Sequence, residues 1–197
     1  MAIPAYIYDS VDPVSYNTAE RRDLFFIGGY THGPNVDAVL WFTNEILPRV
    51  LKALPNIRIH IAGSNMPQEI INLASDHVVI EGMLSDEQLE DMYHHVRLNV
   101  VPLRYGAGIK GKIVESMRYG LPVVTTDCGA EGIIGSEDIL KIGNTAEEIA
   151  DQIISVYNDE DELKRISEAG KRYILTQYSE QNAYLAMSQF FELPLME

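Results

Sequence analysis

Leu24-Phe25-Phe26-Ile27-Gly28-Gly29 is a run of four apolar residues closed by two glycines. Polar residues do not alternate through it, so the strand it predicts is buried on both faces, as in a parallel sheet covered by helices. Outward from this run the pattern repeats. Asn35 is read as the cap of a helix whose apolar face is Val36, Val39, Leu40, Trp41 and Phe42. Pro48 ends or kinks that helix and starts a short second one through Leu54. Ile57 to Ala62 reads as a strand followed by Gly63, residues 67–74 as a helix, and Val78 to Ile80 as a short strand ending at Glu81-Gly82. Ser85-Asp86-Glu87-Gln88 is a capping box, with Leu89, Met92, Tyr93 and Val96 at helical spacing behind it. Leu98 to Pro102 is a strand, residues 112–119 a short helix burying Ile113, Val114 and Met117, and Leu121 to Thr126 and Ile139 to Ile142 the last strands. A second capping signal spans Asn144 to Glu147. The helices behind it are lined by Ile149, Ile153, Ile154 and Val156, then by Leu163, Ile166 and Ala169. The acidic run Asp159 to Glu162 caps and solvates a helix start, and Ser179 caps a last helix carrying Ala183, Ala186, Met187 and Phe190. Strands alternating with helices predict an α/β fold: a doubly wound parallel sheet, helices on both faces, and a helical C-terminal extension. Ligands on such sheets sit at the C-terminal edges of the strands, so the loops after each strand are the places to search.

The 197 residues suit one domain, and a hydrophobic fraction of 46% is ample for its core. No stretch approaches the roughly 20 apolar residues that span a bilayer. Met1 to Asp9 has neither the basic cluster nor the apolar run of a signal peptide, and a single cysteine, Cys128, excludes an internal disulfide. These features predict a cytoplasmic protein. A net charge of −14 argues against nucleic acid and anionic lipid as partners, since both require basic footprints. One local exception stands out. Residues 104–118 hold four of the chain's 15 basic residues, Arg104, Lys110, Lys112 and Arg118, against one acid, Glu115. Such an island suits a small anion better than a long anionic polymer.

Within the island, Gly106-Ala-Gly-Ile-Lys-Gly-Lys112 lies between a predicted strand and a predicted helix. Its glycines let backbone N–H groups approach an anion, the helix start adds unpaired donors, and Lys110 and Lys112 add full charges. The pattern G-x-x-x-x-G-K is that of a P-loop up to its last position. Ile113 stands where the magnesium-binding hydroxyl would be, so the loop is read as a phosphate cradle without that magnesium chemistry. Glu115, three residues after Lys112, shares its helix face. The pair is either an ordinary surface ion pair or a carboxylate accepting two sugar hydroxyls beside a phosphate-binding lysine.

Pro102-Leu103-Arg104, Gly106 to Glu115, Gly120-Leu-Pro-Val-Val-Thr-Thr126 and Gly129-Ala-Glu-Gly132 together resemble the donor site of family 4 (group 1) glycosyltransferases of the GT-B type. Phe26-Ile-Gly-Gly29 followed by Pro34-Asn-Val-Asp-Ala-Val39 resembles that family's first strand, loop and helix. The resemblance runs from about Arg22 to Phe191. It implies one Rossmann-like half of a two-domain enzyme: this half holds a nucleotide-diphospho-sugar, and an N-terminal domain outside this sequence holds the acceptor. Transfer in the family needs no metal and no cofactor beyond the donor itself, and is usually retaining. By the resemblance, Glu115 is the second glutamate of E-x7-E and binds ribose hydroxyls. Gly108, Ile109 and Lys110 meet the diphosphate, Gly82 and Met83 lie against the base, and Gly28 and Gly29 border the phosphates with His32 nearby. The first glutamate of the motif falls on Ala107, so the acid beside the donor sugar is absent, with Glu131 a candidate substitute. The basic residues usual after the first strand are also absent from Tyr30-Thr31-His32-Gly33, where His32 either stands in or is simply solvated.

Residues 1–22 are irregular, broken at Ile3-Pro4 and Asp12-Pro13, and read as a linker from the N-terminal domain, leaving 23–197 as the nucleotide-sugar domain. A membrane would be met only through that other half, if at all. The C-terminal helices either return the chain toward it or cover the sheet. Arg104 either assists the leaving diphosphate or pairs with a neighbouring acid. Cys128 is read as a buried bystander, and His94 and His95 as surface residues at a helix end. A nicotinamide dehydrogenase needs G-x-G-x-x-G after the first strand and an acid after the second; the glycine spacing is wrong, and Ala62-Gly63-Ser64 has no acid. A receiver-like signalling domain needs clustered acids where Asp23 stands alone. A nucleotide-sugar epimerase shares the same site and is separated only by the A-G-x-K-G-K loop.

Overall fold

The structure, a computed structural model, describes residues 6–191. Its centre is β1 (Arg22–Ile27), flanked by β2 (Ile59–Ala62) and β4 (Val96–Val101). With β3 (Val78–Gly82), β5 (Val123–Thr125) and β6 (Lys141–Ile142) they form one six-stranded sheet, ordered β3-β2-β1-β4-β5-β6. Every named pairing is parallel; Leu24 lies opposite Ile59 on one side and Leu98 on the other. The order reverses between β1 and β4. That is the switch point at which a doubly wound sheet opens a crevice beyond its strand ends.

The unbroken apolar run has its expected cause. Leu24, Phe25 and Phe26 are all buried, and the two rings serve opposite faces. Phe25 meets Tyr93 of α4 (Asp86–His95) edge-on at 5.8 Å, while Phe26 faces Ala38, Val39 and Phe42. Each ring buried this way contributes roughly 2–3 kcal/mol. The layer over Phe26 is α1 (Gly33–Trp41), a π-helical turn (Phe42–Ile46), α2 (Leu47–Ala53) and α7 (Ala146–Tyr157). On the Phe25 side, α5 (Gly111–Arg118) packs on α8 (Glu160–Gln177), and Tyr119 stacks on Tyr93 at 4.7 Å. The short α3 (Gln68–Ile71) and α6 (Asp127–Ala130) are loop-like, and α9 (Glu180–Phe191) ends the described chain. No helix among the described residues is long and apolar enough to cross a membrane.

Several local expectations are corrected. Asn35 is not a cap: α1 starts at Gly33 behind His32, with Pro34 in its first turn, and Asn35 lies inside the helix. Pro48 starts a short second helix as expected, Leu47–Ala53 with Leu54 as its C-cap, but the first α-helix stops earlier, at Trp41, and the turn between them continues as helix. The missing N–H and ring clash are absorbed by widening the preceding turn to a π-helix, after which Pro48 sits in the first turn of α2. The 67–74 helix shrinks to four residues, followed by three-residue turns such as Leu73 N–H to Ile70 O. Val96 belongs to β4, not α4, because it pairs with Arg22. Only the last two residues of 139–142 are strand; Leu140 instead closes a turn on Ser136. The second capping box is Thr145 with Glu148, one residue later than expected. Ser85, Asp159 and Ser179 do accept N–H groups of α4, α8 and α9 as the sequence predicts.

Residues 6–21 lie against this same domain. Tyr8 N–H bonds Tyr178 O at 2.8 Å, Asp12 N–H bonds Arg118 O at 3.1 Å, and Lys171 caps the carbonyls of Asp12 and Val14. Tyr16 is buried, and Arg21 donates to the carbonyls of Tyr93 and Val96 that end α4 and begin β4. His94 is not simply a surface residue: its Nε2 meets buried Asp12 at 2.5 Å. His95 is exposed as expected, and Cys128 is half-buried against Gly106 O.

Candidate functional site

The crevice at the switch point is a cavity of about 460 Å³, within the size range of small-molecule sites. Its floor is the glycine loop after β1, Gly28-Gly29, with Gly63-Ser64 after β2 and Met83-Leu84 after β3. Gly111, Lys112 and Glu115 of α5 form one wall, and Tyr6, Tyr8 and Tyr93 another. Close approach makes the floor. Gly63 adopts φ +136°, and a Cβ there would lie 1.8 Å from Gly28 O, so only glycine lets β2 end against the loop. A Cβ on Gly28 would meet the Asn35 amide at 2.7 Å.

Asn35 is the keystone that its misread position concealed. It is buried, its Nδ2 donates to Gly29 O at 2.8 Å, and its Oδ1 accepts from Lys112 Nζ at 2.6 Å. One side chain thus ties the glycine loop to the lysine. Lys112 keeps some surface at the cavity wall, yet its amino group is closely surrounded and stands 4.1 Å over the Phe26 ring. Burial pushes its pKa down to about 7. Lys112 lies in the first turn of α5, whose N-cap, Lys110, provides no side-chain cap. Gly111 and Lys112, the first two residues of α5, both line the cavity, so the positive end of the helix dipole opens on it beside the ammonium.

The basic island divides sharply. Arg104 forks onto Asp37 and stacks over Trp41; Lys110 bonds Gly108 O and, at 3.2 Å, Glu131; Arg118 bonds Glu115 at 3.0 Å. Lys112 alone of the four has no carboxylate partner among the described residues. The Lys112–Glu115 surface pair is not formed. Glu115 instead accepts Tyr8 OH at 2.7 Å as well as Arg118. Burial first, and that bond second, push the Tyr8 phenol up.

Of the residues singled out in the sequence, Gly28, Gly29, Met83, Lys112 and Glu115 line the cavity together. Gly82 stands behind Met83 and accepts Gly63 N–H. Gly108, Ile109 and Lys110 occupy the loop before α5, with Ile109 pressed toward Gly132. Arg104 is directed to α1, and His32 serves as the N-cap residue of α1. Sequence reasoning missed Tyr6, Tyr8 and Asn35 as site residues. The tyrosines lie in an irregular segment more than 100 residues from the helix they touch, and no local pattern reports such a contact.

Residues 21–159 match the family described as glycosyl transferases, group 1. A Klebsiella pneumoniae protein of the cps region is 26% identical over 192 residues, covering 92% of this chain and 49% of that protein. The chain therefore spans about half the length of this curated relative. Staphylococcus aureus TarM, in a structure with fondaparinux, α-GlcNAc-glycerol and UDP, superposes with a TM-score of 0.78. It is 18% identical, over 98% of this chain and 39% of its own. The C-terminal domain of LpcC from Francisella tularensis, a group 1 family protein, gives 0.63 at 15% identity, over 87% of this chain and 96% of that one. At these identities the structural likeness speaks to the fold.

Proposed function

We propose, from the premise that this chain belongs to the group 1 glycosyltransferases, that its sheet edge holds the donor, a nucleotide-diphospho-sugar. The chain has the Rossmann-like α/β fold of one half of a GT-B enzyme. The observation that carries the donor reading is Lys112. A desolvated amino group with only a neutral amide and an aromatic face for company lacks a counter-charge, and it sits where helix amides also await an anion. A diphosphate supplies that charge. Glu115, on the same helix and lining the same cavity, offers a carboxylate to the ribose diol, and Met83 and Leu84 offer apolar surface to the base.

The chemistry follows from placement. As the glycosidic bond to the donor breaks, negative charge grows on the departing nucleoside diphosphate. Lys112 and the first-turn amides of α5 are already oriented toward it, so stabilisation needs little reorganisation. Lys110 extends the cradle once its contact with Glu131 yields. Charge neutralisation by these groups supports transfer without a metal ion. The acceptor then approaches from a second domain facing this edge, and the cps-region relative is consistent with a polysaccharide product.

Calorimetric titration with UDP, GDP, ADP and NAD in the presence of a chelator tests the reading. One diphosphate should bind saturably and weaken on Lys112→Ala and on Glu115→Ala. Binding of NAD alone, or affinity indifferent to both substitutions, overturns it.

A further inference from the structure

Glu115 is held from outside the matched family segment, which begins at residue 21. The strap of residues 6–12 contributes Tyr6 and Tyr8 to the cavity wall and brings Tyr8 OH to 2.7 Å from Glu115 Oε2. From the other side Arg118 reaches Oε1 at 3.0 Å, with its guanidinium 5.2 Å from the Tyr8 ring centre. The strap is anchored at both ends of this contact, by Tyr8 N–H on Tyr178 O and Asp12 N–H on Arg118 O. Tyr6 stacks along Tyr8 at 6.5 Å, and its hydroxyl lies only 2.5 Å from where a Gly111 side chain would begin.

We propose that Tyr8 is a positioning residue for nucleoside recognition: with Arg118 it clamps the Glu115 carboxylate in the orientation that accepts a ribose diol. A carboxylate has about four acceptor positions. The clamp takes one on each oxygen, which fixes the rotation of the group and leaves one on each for two neighbouring hydroxyls. Held by Arg118 alone, the carboxylate would keep more rotational freedom, and ordering it would weaken ligand binding. The strap is thereby part of the donor site as well as a connection to it. This inference rests on the donor reading of the same cavity, and the test below separates the two.

The experiment uses the full chain and its Tyr8→Phe variant, which keeps the ring and removes only the hydroxyl. Each is titrated calorimetrically with the nucleoside diphosphate that binds, its 2′-deoxy form, and inorganic pyrophosphate. Tyr8→Phe should weaken the ribonucleotide about tenfold, the size of one lost charge-assisted hydrogen bond, and shift pyrophosphate by less than about twofold. The preference of the wild type for ribo over deoxy should shrink in the same variant. A role confined to tying down the strap would lower the melting temperature and leave these ratios unchanged; that result, or an equal loss for all three ligands, overturns the proposal. Lys112→Met is the control on the underlying reading: it should weaken pyrophosphate and nucleotide alike. If the wild type binds none of the ligands, the donor reading fails and the clamp with it.

Discussion

The two ends of the central strand treat charge in opposite ways. At the C-terminal end of β1, Lys112 is desolvated against a neutral amide. At the N-terminal end, charges satisfy one another. Asp23 accepts from the Arg58 backbone and side chain, and His60 sits between Asp23 at 3.3 Å and Glu81 at 2.6 Å. Both ends border hollows of nearly equal size, about 460 and 470 Å³. Volume therefore does not tell them apart. What does is the missing counter-charge: a closed set of ion pairs holds the fold together, whereas an open one marks the place left for a ligand.

The contrast can be broken first at the closed end. Asp23 adopts φ +65°, with its side chain only 10% exposed, and its removal takes the acceptor from the Arg58 backbone N–H and guanidinium and leaves His60 to Glu81 alone. Asp23→Ala should cost about 3 kcal/mol in denaturant unfolding, near the lower bound for a broken buried pair because Arg58 is half exposed. Nucleotide affinity of the folded fraction should stay unchanged. At the open end, Lys112→Met should lose roughly hundredfold in nucleoside diphosphate affinity by calorimetry, yet melt no lower than the wild type, since it removes an uncompensated buried charge.

A smaller effect is the pH dependence of binding. Burial lowers the Lys112 pKa to about 7, whereas a bound anion raises it, so binding above pH 7 takes up a proton. Affinity should fall by up to about tenfold per pH unit between pH 7.5 and 9, and this slope should vanish in Lys112→Met. Stability responds in the other sense: the penalty of the buried ammonium lifts as pH rises from 7 toward the lysine's ordinary 10.5. The closed end responds inversely again. The hydrogen bond to Asp23 raises the His60 pKa against an opposing burial, with Glu81 adding to the rise. His60 therefore stabilises fully below its ordinary value near 6.5 and less as pH rises through the raised one. His60→Gln should destabilise by about 1 kcal/mol at pH 6, with the difference shrinking in alkaline melts.

Much of this was legible in the sequence. The apolar run at Leu24 to Ile27 announces a central parallel strand because no polar residue interrupts it, and the glycine–lysine loop at 106–112 announces an anion because its residues are contiguous. Contacts between distant segments leave no such trace. Asn35 carries a capping residue's chemistry, which points to a helix end, whereas its amide is used between Gly29 and Lys112. Tyr8 sits in a segment without periodicity, and its partner lies 107 positions away. Pro48 is legible as the start of a short second helix, but the widened turn before it is not, because proline's rule concerns an α-turn. The basic island was legible as composition, but its pairing was not. Only the structure separates Lys112 from Arg104, Lys110 and Arg118, which have partners.

The most direct test is a crystal structure of this chain grown with the nucleoside diphosphate it binds. The account predicts phosphate oxygens within hydrogen-bond distance of Lys112 Nζ and the first-turn amides of α5, and ribose hydroxyls on Glu115. A nucleotide lodged in the hollow beside Asp23 and Tyr157, or one whose phosphates lie away from Lys112, would contradict it.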